Sequence, residues 1–166
     1  MRPLLDKAQP QSSSGTDAGC LDLRESHMMK KILIAYDGSA PAKDAYEFAR
    51  DLAQKYDADL YVLAVARPPE FGDDVETEAV IENSRKHYEK VLAPLKAGAR
   101  ADAGRVHFKI AVGHPAEQII RHAEDEYKVD LIVMGHRGKS LFERLRVGSI
   151  SKQVIHYAHC PVTIVR

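Results

Sequence analysis

The sequence has no net charge, few cysteines and no long apolar run. Its 24 lysines and arginines balance 24 aspartates and glutamates. This balance disfavours nucleic acids and anionic membranes as partners, because both attract proteins with a large excess of basic residues. The apolar runs span about seven residues at most, well short of the ~20 needed to cross a bilayer. We therefore expect no membrane-spanning helix, no nucleic-acid partner and no membrane partner.

The two cysteines, Cys20 and Cys160, lie far apart in a chain of 166 residues. Two distant thiols do not form a disulfide framework, so the sequence favours a reducing, cytoplasmic location. The sequence contains no C-x-x-C and no His-Glu-x-x-His motif, which disfavours a redox dithiol and a zinc protease. His156 and His159 precede Cys160, but a zinc site needs more ligands, so we expect a surface histidine pair.

Residues 1–28 differ in composition from the rest of the chain. They are rich in small and polar residues, as in Gln11–Thr16, and their apolar residues have no period. Such a segment buries too little surface to offset its ordering entropy, so the composition predicts a flexible N-terminal tail. The tail is either native or a remnant of cloning. Residues 29–166 are predicted to form one domain.

From residue 30 onward, short apolar runs alternate with segments of helical periodicity. The predicted strands cover 30–36, 60–66, 106–112, 130–134 and 160–165, and the predicted helices begin near 40, 75, 115 and 149. Continuous apolar strands are typical of a sheet that helices cover on both faces. The pattern therefore predicts an α/β three-layer sandwich with a five-stranded parallel sheet and right-handed crossovers. Such sheets bind ligands at the carboxyl ends of their strands.

The segment 134–150 carries a pattern typical of a phosphate site. Gly135 and Gly138 follow a predicted strand, and Gly148 and Ser149 precede a predicted helix. Glycines let backbone amides approach an anion, and a helix amino end adds unpaired N–H groups and a positive dipole. Basic residues outnumber acidic ones in this stretch, which favours a polyphosphate, and Arg137 is a candidate phosphate contact.

A Walker-type nucleotide site is disfavoured, although Gly138-Lys139-Ser140 resembles the end of a P-loop. That motif requires a glycine five residues before Gly138, where the sequence has Val133.

The chain resembles the universal stress proteins over about residues 29–166. The resemblance rests on five segments, which are Ile32–Ser39 (ILIAYDGS), Gly113–Ile120 (GHPAEQII), Asp130–Gly138 (DLIVMGHRG), Val147–Ile155 (VGSISKQVI) and Cys160–Val165 (CPVTIV). Gly135, Gly138, Gly148 and Ser149 also match, without a gap, the motif G-x2-G-x9-G-[ST] of the family's ATP-binding subgroup. The resemblance implies a Rossmann-like sheet of order 3-2-1-4-5 with four helices, as in adenine nucleotide alpha-hydrolases.

The resemblance also implies roles for individual residues. Asp37 would approach the ribose or a phosphate-bound Mg²⁺, and the backbone of Val65 would read the edge of the adenine. Met134 and Gly135 would line the ribose side. The phosphates would be held by Gly138, Gly148, Ser149 and Ile150. The last strand would pair with its copy in a homodimer through Val162, Ile164 and Val165.

The resemblance favours an ATP-binding sensor or regulator of the stress response, with at most slow ATP hydrolysis. AMP and cyclic nucleotides remain alternative ligands. One alternative function is an ATP-consuming enzyme of the related superfamily. Such an enzyme would carry a Ser-Gly-Gly-x-Asp-Ser loop or a His-Ile-Gly-His element, and Tyr36–Ser39 is neither. The other alternative is a dimeric interaction module that binds no ligand.

Overall fold

A computed structural model describes residues 29–69, 74–99, 105–136 and 148–166. Within these ranges, five parallel strands form one sheet in the order β3-β2-β1-β4-β5. The strands are β1 (Lys31–Ala35), β2 (Asp59–Ala66), β3 (Val106–Val112), β4 (Leu131–Gly135) and β5 (Val162–Val165). This sheet confirms the predicted α/β fold and strand order. The predicted tail, residues 1–28, lies outside the described residues.

Four α-helices in the same part of the chain connect the strands. They are α1 (Ala40–Tyr56), α2 (Asp74–Gly98), α3 (Pro115–Arg121) and α4 (Ser149–Tyr157). The helix α3 continues as a single π-helical turn, His122–Glu126, which the sequence pattern does not predict. None of the helices in the described ranges is both long and apolar enough to span a bilayer.

Strand β1 lies at the centre of both hydrophobic cores. Ile32 and Ile34 pack on one face of the sheet with residues of α1 and α2. Leu33 packs on the other face with residues of α3 and α4. All three side chains are fully buried, and each stabilises the fold by about 1.5–3 kcal/mol. The helices therefore form two outer layers, and burial on both faces explains why the strand is apolar without alternation.

Side-chain hydrogen bonds hold the turn between β1 and α1. The Ser39 amide donates to Asp37 Oδ1 at 2.9 Å, and the Ala42 amide donates to Ser39 Oγ at 3.3 Å. Ser39 is the N-cap of α1 and Pro41 lies in its first turn, and both positions are favourable for the start of a helix. The turn places the Asp37 carboxylate at the carboxyl end of the central strand.

Candidate functional site

A cavity of about 270 Å³ lies where the carboxyl ends of β1, β2 and β4 meet the helices. The strand order reverses at β1, so this is the position at which open α/β sheets bind ligands. The volume is close to the lower end of the ~300–1,000 Å³ range of small-molecule sites. The lining residues are Ala35, Tyr36, Asp37, Ala42, Leu63, Val65, Tyr88, Pro115, Ile119, Met134, Gly135, Ile150 and Ser151. The predicted residues Asp37, Val65, Met134, Gly135 and Ile150 are therefore brought together.

Two tyrosines adjoin the Asp37 carboxylate at the end of β1. Burial raises the pKa of the Tyr36 phenol and of the Tyr88 phenol, and the negative charge of Asp37 raises both further. Both phenols therefore keep their protons at neutral pH and remain hydrogen-bond donors. Tyr88 brings the long helix α2 into the wall of the cavity.

Gly38 brings the turn after β1 close to α2. Its φ is +81°, in the left-handed region that glycine adopts without strain. A Cβ atom on Gly38 would lie 2.7 Å from Cγ1 of Val91 on α2. A side chain at this position would be strained by the backbone and would also clash with the Val91 side chain.

The pairing between β1 and β2 ends next to the cavity. The last pair in the register of these strands is Ala35 with Leu63, and the Tyr36 amide donates to the Leu63 carbonyl at 2.8 Å. Strand β2 continues to Ala66, and β3 is its one strand neighbour there among the described residues. Val65 lies in this extension, beyond the last β1 partner, and lines the cavity. A ligand in the cavity can therefore meet the β1 side of this backbone.

Gly135 has a packing role that the motif alone does not indicate. A Cβ atom at this position would lie 2.7 Å from the carbonyl carbon of Pro41, 2.8 Å from its oxygen and 3.0 Å from the Ala42 nitrogen. The first turn of α1 thus passes directly over the end of β4. The motif indicates a glycine that lets an anion approach, whereas the structure shows that this glycine lies against a helix backbone.

The amino end of α4 lies at the other side of the cavity. Gly148 is the N-cap residue, and its amide donates to the His136 carbonyl at 3.1 Å. That amide already has a protein acceptor. The next amides, from Ser149 to Ser151, belong to the first turn of α4 and have no partner within the helix. Ile150 and Ser151 line the cavity.

The structure places the remaining predicted residues outside the cavity wall or outside the described residues. Gly148 and Ser149 lie at the start of α4 but are not among the residues that line the cavity. Arg137 and Gly138 lie in the segment 137–147, which is outside the described residues. Of the glycine motif, the structure therefore describes the start, Gly135, and the end, Gly148 and Ser149.

Several lining residues belong to no motif of the sequence. Tyr88 lies on the apolar stripe of α2, and its spacing indicates only that it faces the core. Pro115 and Ile119 belong to α3, and Ser151 follows the motif by two residues. Ser151 is buried, and its hydroxyl donates to the Gly135 carbonyl at 3.4 Å. Only the position of Ser151 next to the motif could have suggested it.

The histidines of the described residues differ in their surroundings. His136 Nδ1 is buried and has no hydrogen-bond partner within the described part of the chain. The His159 ring lies 2.9 Å from a carboxylate oxygen of Glu124, and the His159 amide donates to the other oxygen at 2.8 Å. Burial alone would raise the pKa of Glu124, but these hydrogen bonds and the His159 charge outweigh it and lower that pKa.

The described ranges contain no group of three or more metal-ligating side chains. His156 and His159 are exposed, and Cys160 is a half-buried free thiol. Burial raises the pKa of that thiol. Asp37 is thus the one carboxylate that lines the described cavity, and it is the candidate contact for a cation that arrives with a ligand.

Comparison with known proteins relates the chain to universal stress proteins. The profile of the universal stress protein family matches residues 28–166. A universal stress protein of Methanocaldococcus jannaschii is 35% identical over 143 residues, which are 84% of this chain and 84% of the relative. The structure of a universal stress protein UspA from Lactobacillus plantarum has a TM-score of 0.76 at 25% identity, and the match covers 83% of this chain and 98% of that one.

A universal stress protein solved in complex with cAMP has a TM-score of 0.54 at 23% identity. The match covers 84% of this chain and 98% of that one. At this identity the likeness shows a shared fold, and the bound cAMP is a property of that protein.

Proposed function

Because this chain belongs to the universal stress protein family, we propose that it binds ATP in the described cavity and acts as a nucleotide-dependent sensor or regulator of the stress response. The observation that carries this proposal is the convergence of three features on one cavity. These features are the Asp37 carboxylate, the open backbone edge at Val65 and the first turn of α4. Each feature suits a different part of a nucleotide.

The amino end of α4 is the proposed phosphate site. The amides of its first turn have no partner within the helix, and together with the positive dipole they favour an anion. Because the Gly148 amide donates to His136, we assign the phosphate contacts to the amides of Ser149, Ile150 and Ser151. Arg137 and Gly138 are proposed to add contacts from the segment that precedes α4.

The other walls suit the nucleoside. We propose that Asp37 contacts the ribose or a Mg²⁺ ion bound to the phosphates, because carboxylate oxygens are preferred Mg²⁺ ligands. The Val65 backbone would pair with the adenine edge, and the apolar side chains around Met134 would contact the ring and the sugar. A protein of the same fold holds cAMP, so this fold accommodates an adenine nucleotide.

We favour a sensor over an enzyme because of the chemistry of the cavity wall. Rapid phosphoryl transfer needs a positioned base or nucleophile in addition to phosphate and metal contacts. Asp37 is the single carboxylate among the described lining residues, and the proposal already assigns it to ribose or Mg²⁺. Bound ATP would act by favouring the conformation that binds it best, with hydrolysis at most slow.

The proposal includes a homodimer through β5. This strand forms the edge of the sheet beside β4, and Val162, Ile164 and Val165 are half-buried. An apolar edge strand needs a cover, and a second copy of the strand provides one. Ile164→Lys is expected to give a monomer in light scattering, whereas Thr163→Lys tests the opposite face of the strand.

The distant cysteines favour a cytoplasmic location.

Calorimetric titration with ATP, AMP and cAMP, with and without Mg²⁺, tests the proposed function. Binding of ATP with turnover far below 1 s⁻¹ supports the sensor, whereas turnover above about 1 s⁻¹ supports the enzyme. Absence of binding by all three nucleotides favours the interaction module and contradicts the proposal. Mass spectrometry of the denatured protein identifies any nucleotide that co-purifies.

A matched pair of variants on α4 tests the position of the site. Ile150 lines the cavity, so Ile150→Trp fills it and should weaken ATP binding by at least about tenfold, or 1.4 kcal/mol. Ile155 lies on the same helix, is 49% exposed and does not line the cavity. Ile155→Trp should bind ATP normally. Equal ATP affinity in both variants would place the nucleotide elsewhere.

A further inference from the structure

The helix α2 is longer than the strands that it covers. Its 25 residues span about 37 Å, whereas the 8 residues of β2 span about 26 Å. Lys96 lies over β3, with its Nζ 5.9 Å from the centre of the Phe108 ring, and Tyr88 lines the cavity at the carboxyl end of β1. Because the helix already reaches the carboxyl end of the sheet at Tyr88, the residues before Tyr88 project beyond the strands.

The hydrophobic core holds the two parts of α2 to different degrees. The carboxyl part packs into the core of its face through Tyr88, Val91, Leu92 and Leu95. In the projecting segment, which we define as residues 77–87, Val80 is 41% exposed. Neither Val80 nor Ile81 belongs to the two cores that the described residues form. A segment with so little buried apolar surface is held less firmly than the rest of its helix.

A recess of about 500 Å³ lies between the projecting segment and the carboxyl ends of the strands. Val65 and Pro115 line both this recess and the cavity, so the two spaces adjoin. Val80 lines the recess from α2. The recess therefore leaves room for the projecting segment to move toward Val65, and such a movement would remove the apolar Val80 side chain from water, which is favourable.

A proline weakens α2 close to this segment. Pro94 lies inside the helix, and it has no amide hydrogen to donate to the carbonyl of Lys90, four residues before it. Helices bend most readily at such a position. The projecting segment is itself helical and carries an ion pair at 3.4 Å between Glu82 and Lys86, one turn apart, which supports the helix locally. The segment can therefore move as a unit about the turn between Lys90 and Pro94.

We propose that the projecting segment of α2 is a lid, which closes over the base of the bound nucleotide by bending α2 between Lys90 and Pro94. This inference depends on the proposed function, because the lid closes on the nucleotide that this function places against Val65. Closing fills the recess and buries Val80 against the base. The lid thereby changes the outer surface of the protein when the cavity is occupied, and this change is the signal that a sensor presents to a partner.

Distances between two spin labels, measured by double electron–electron resonance, test the closing movement. The labels are attached at Glu78→Cys on α2 and Glu117→Cys on α3, both exposed positions, in a chain that also carries Cys20→Ser and Cys160→Ser. Residue 78 lies about 21 Å along the helix from the bend, so a bend of about 20° moves it by about 7 Å. ATP should therefore shorten the distance between the labels by roughly 5–7 Å.

Two controls separate closing from other effects of the ligand. Labels at Lys96→Cys and Glu117→Cys should keep their distance, because Lys96 lies in the docked part of α2. Inorganic triphosphate has no base, so it should leave the distance between residues 78 and 117 unchanged. Pro94→Ala supplies an amide for the carbonyl of Lys90 and should reduce the change caused by ATP by at least about half.

Val80→Ser and Ala79→Ser form a matched pair of variants on the projecting segment. Val80 lines the recess, so Val80→Ser removes apolar surface that closing buries, and it should weaken ATP binding by at least about threefold in calorimetry. Ala79 is exposed and does not line the recess. Ala79→Ser should bind ATP as the parent protein does.

The outcomes separate this inference from the proposed function. If calorimetry shows that ATP binds but the distance between residues 78 and 117 does not change, the lid is refuted and the nucleotide site stands. A change that triphosphate also causes, or equal ATP affinity in the two serine variants, refutes closing on the base. Full closing in Pro94→Ala refutes the bend at this proline. If no nucleotide binds, both proposals are wrong.

Discussion

The contact between Gly135 and α1 predicts that Gly135→Ala destabilises the fold even without a ligand. The added Cβ atom would lie 2.7 Å from the Pro41 carbonyl carbon and 2.8 Å from its oxygen. Real Cβ contacts of this kind are essentially absent from proteins, so α1 or the end of β4 must move. Both neighbours are backbone atoms, which cannot move away by a change of rotamer.

The expected magnitude follows from two opposing effects. Overpacking in a tight contact costs about 1–3 kcal/mol. Alanine has less conformational freedom than glycine in the unfolded chain, which stabilises the folded state by about 0.4–1 kcal/mol. The central values of these two ranges, about 2 and about 0.7 kcal/mol, leave a net loss of about 1–2 kcal/mol in the free energy of unfolding of the protein without nucleotide. For a chain of this size, that loss lowers Tm by roughly 2–8 °C.

Urea denaturation followed by circular dichroism measures the effect, and Gly98→Ala is its control. Gly98 ends α2, and nothing lies within 4 Å of the Cβ position there. Alanine stabilises a helix by up to about 1 kcal/mol relative to glycine, so Gly98→Ala should leave the stability of the protein unchanged or raise it. If Gly135→Ala is as stable as the parent protein, the packing explanation is wrong. A loss of nucleotide binding in a Gly135 variant would then indicate a direct ligand contact.

Three further predictions concern stability. Ser39→Ala removes the cap of α1 and should cost about 0.5–2 kcal/mol of unfolding free energy, measured in urea against Ser84→Ala. Leu92→Ala empties a fully buried position on α2 and should cost about 2–5 kcal/mol by the same assay; a smaller loss would mean that α2 is weakly docked. Because the pKa of Glu124 is lowered, its contacts with His159 should stabilise the fold fully when the pH is above the ordinary carboxyl pKa of 4.5. This stabilisation should be lost as the pH falls through the pKa of Glu124 in the folded protein. Glu124→Gln should therefore cost less than about 1 kcal/mol at pH 7 and progressively less as the pH falls through the folded pKa, and a cost that does not change with pH would contradict this linkage.

The local elements of this protein were predictable from the sequence because each has a local physical cause. The helix α1 begins after a serine that caps it and ends where Asp57 adopts a left-handed conformation. The continuous apolar runs of β1 after Lys31 and of β4 indicate burial on both faces, which is typical of a parallel sheet between two helix layers. The π-helical turn at His122 was not predictable from periodicity. The burial of that side chain, which is 2% exposed, and its contact with the Gln118 carbonyl depend on the fold.

The site was predictable only in part. Asp37, Val65 and Met134 follow or end strands, and the carboxyl ends of parallel strands share one edge, so their convergence follows from topology. Tyr88 lies on α2, more than 50 residues after Asp37 in sequence, and no local pattern marks it as a residue of the cavity wall. Its position depends on how α2 packs over Gly38.

The sequence by itself determined the order of strands and helices, the family and the segment that contains the glycine motif. These properties depend on periodicity, capping and spacing, which are local in the chain. The tertiary structure decided what Gly38 and Gly135 contact, that the Gly148 amide has a protein acceptor, and that α2 brings Tyr88 into the wall of the cavity. These properties depend on distances between residues that are far apart in sequence, and only the packed chain sets those distances.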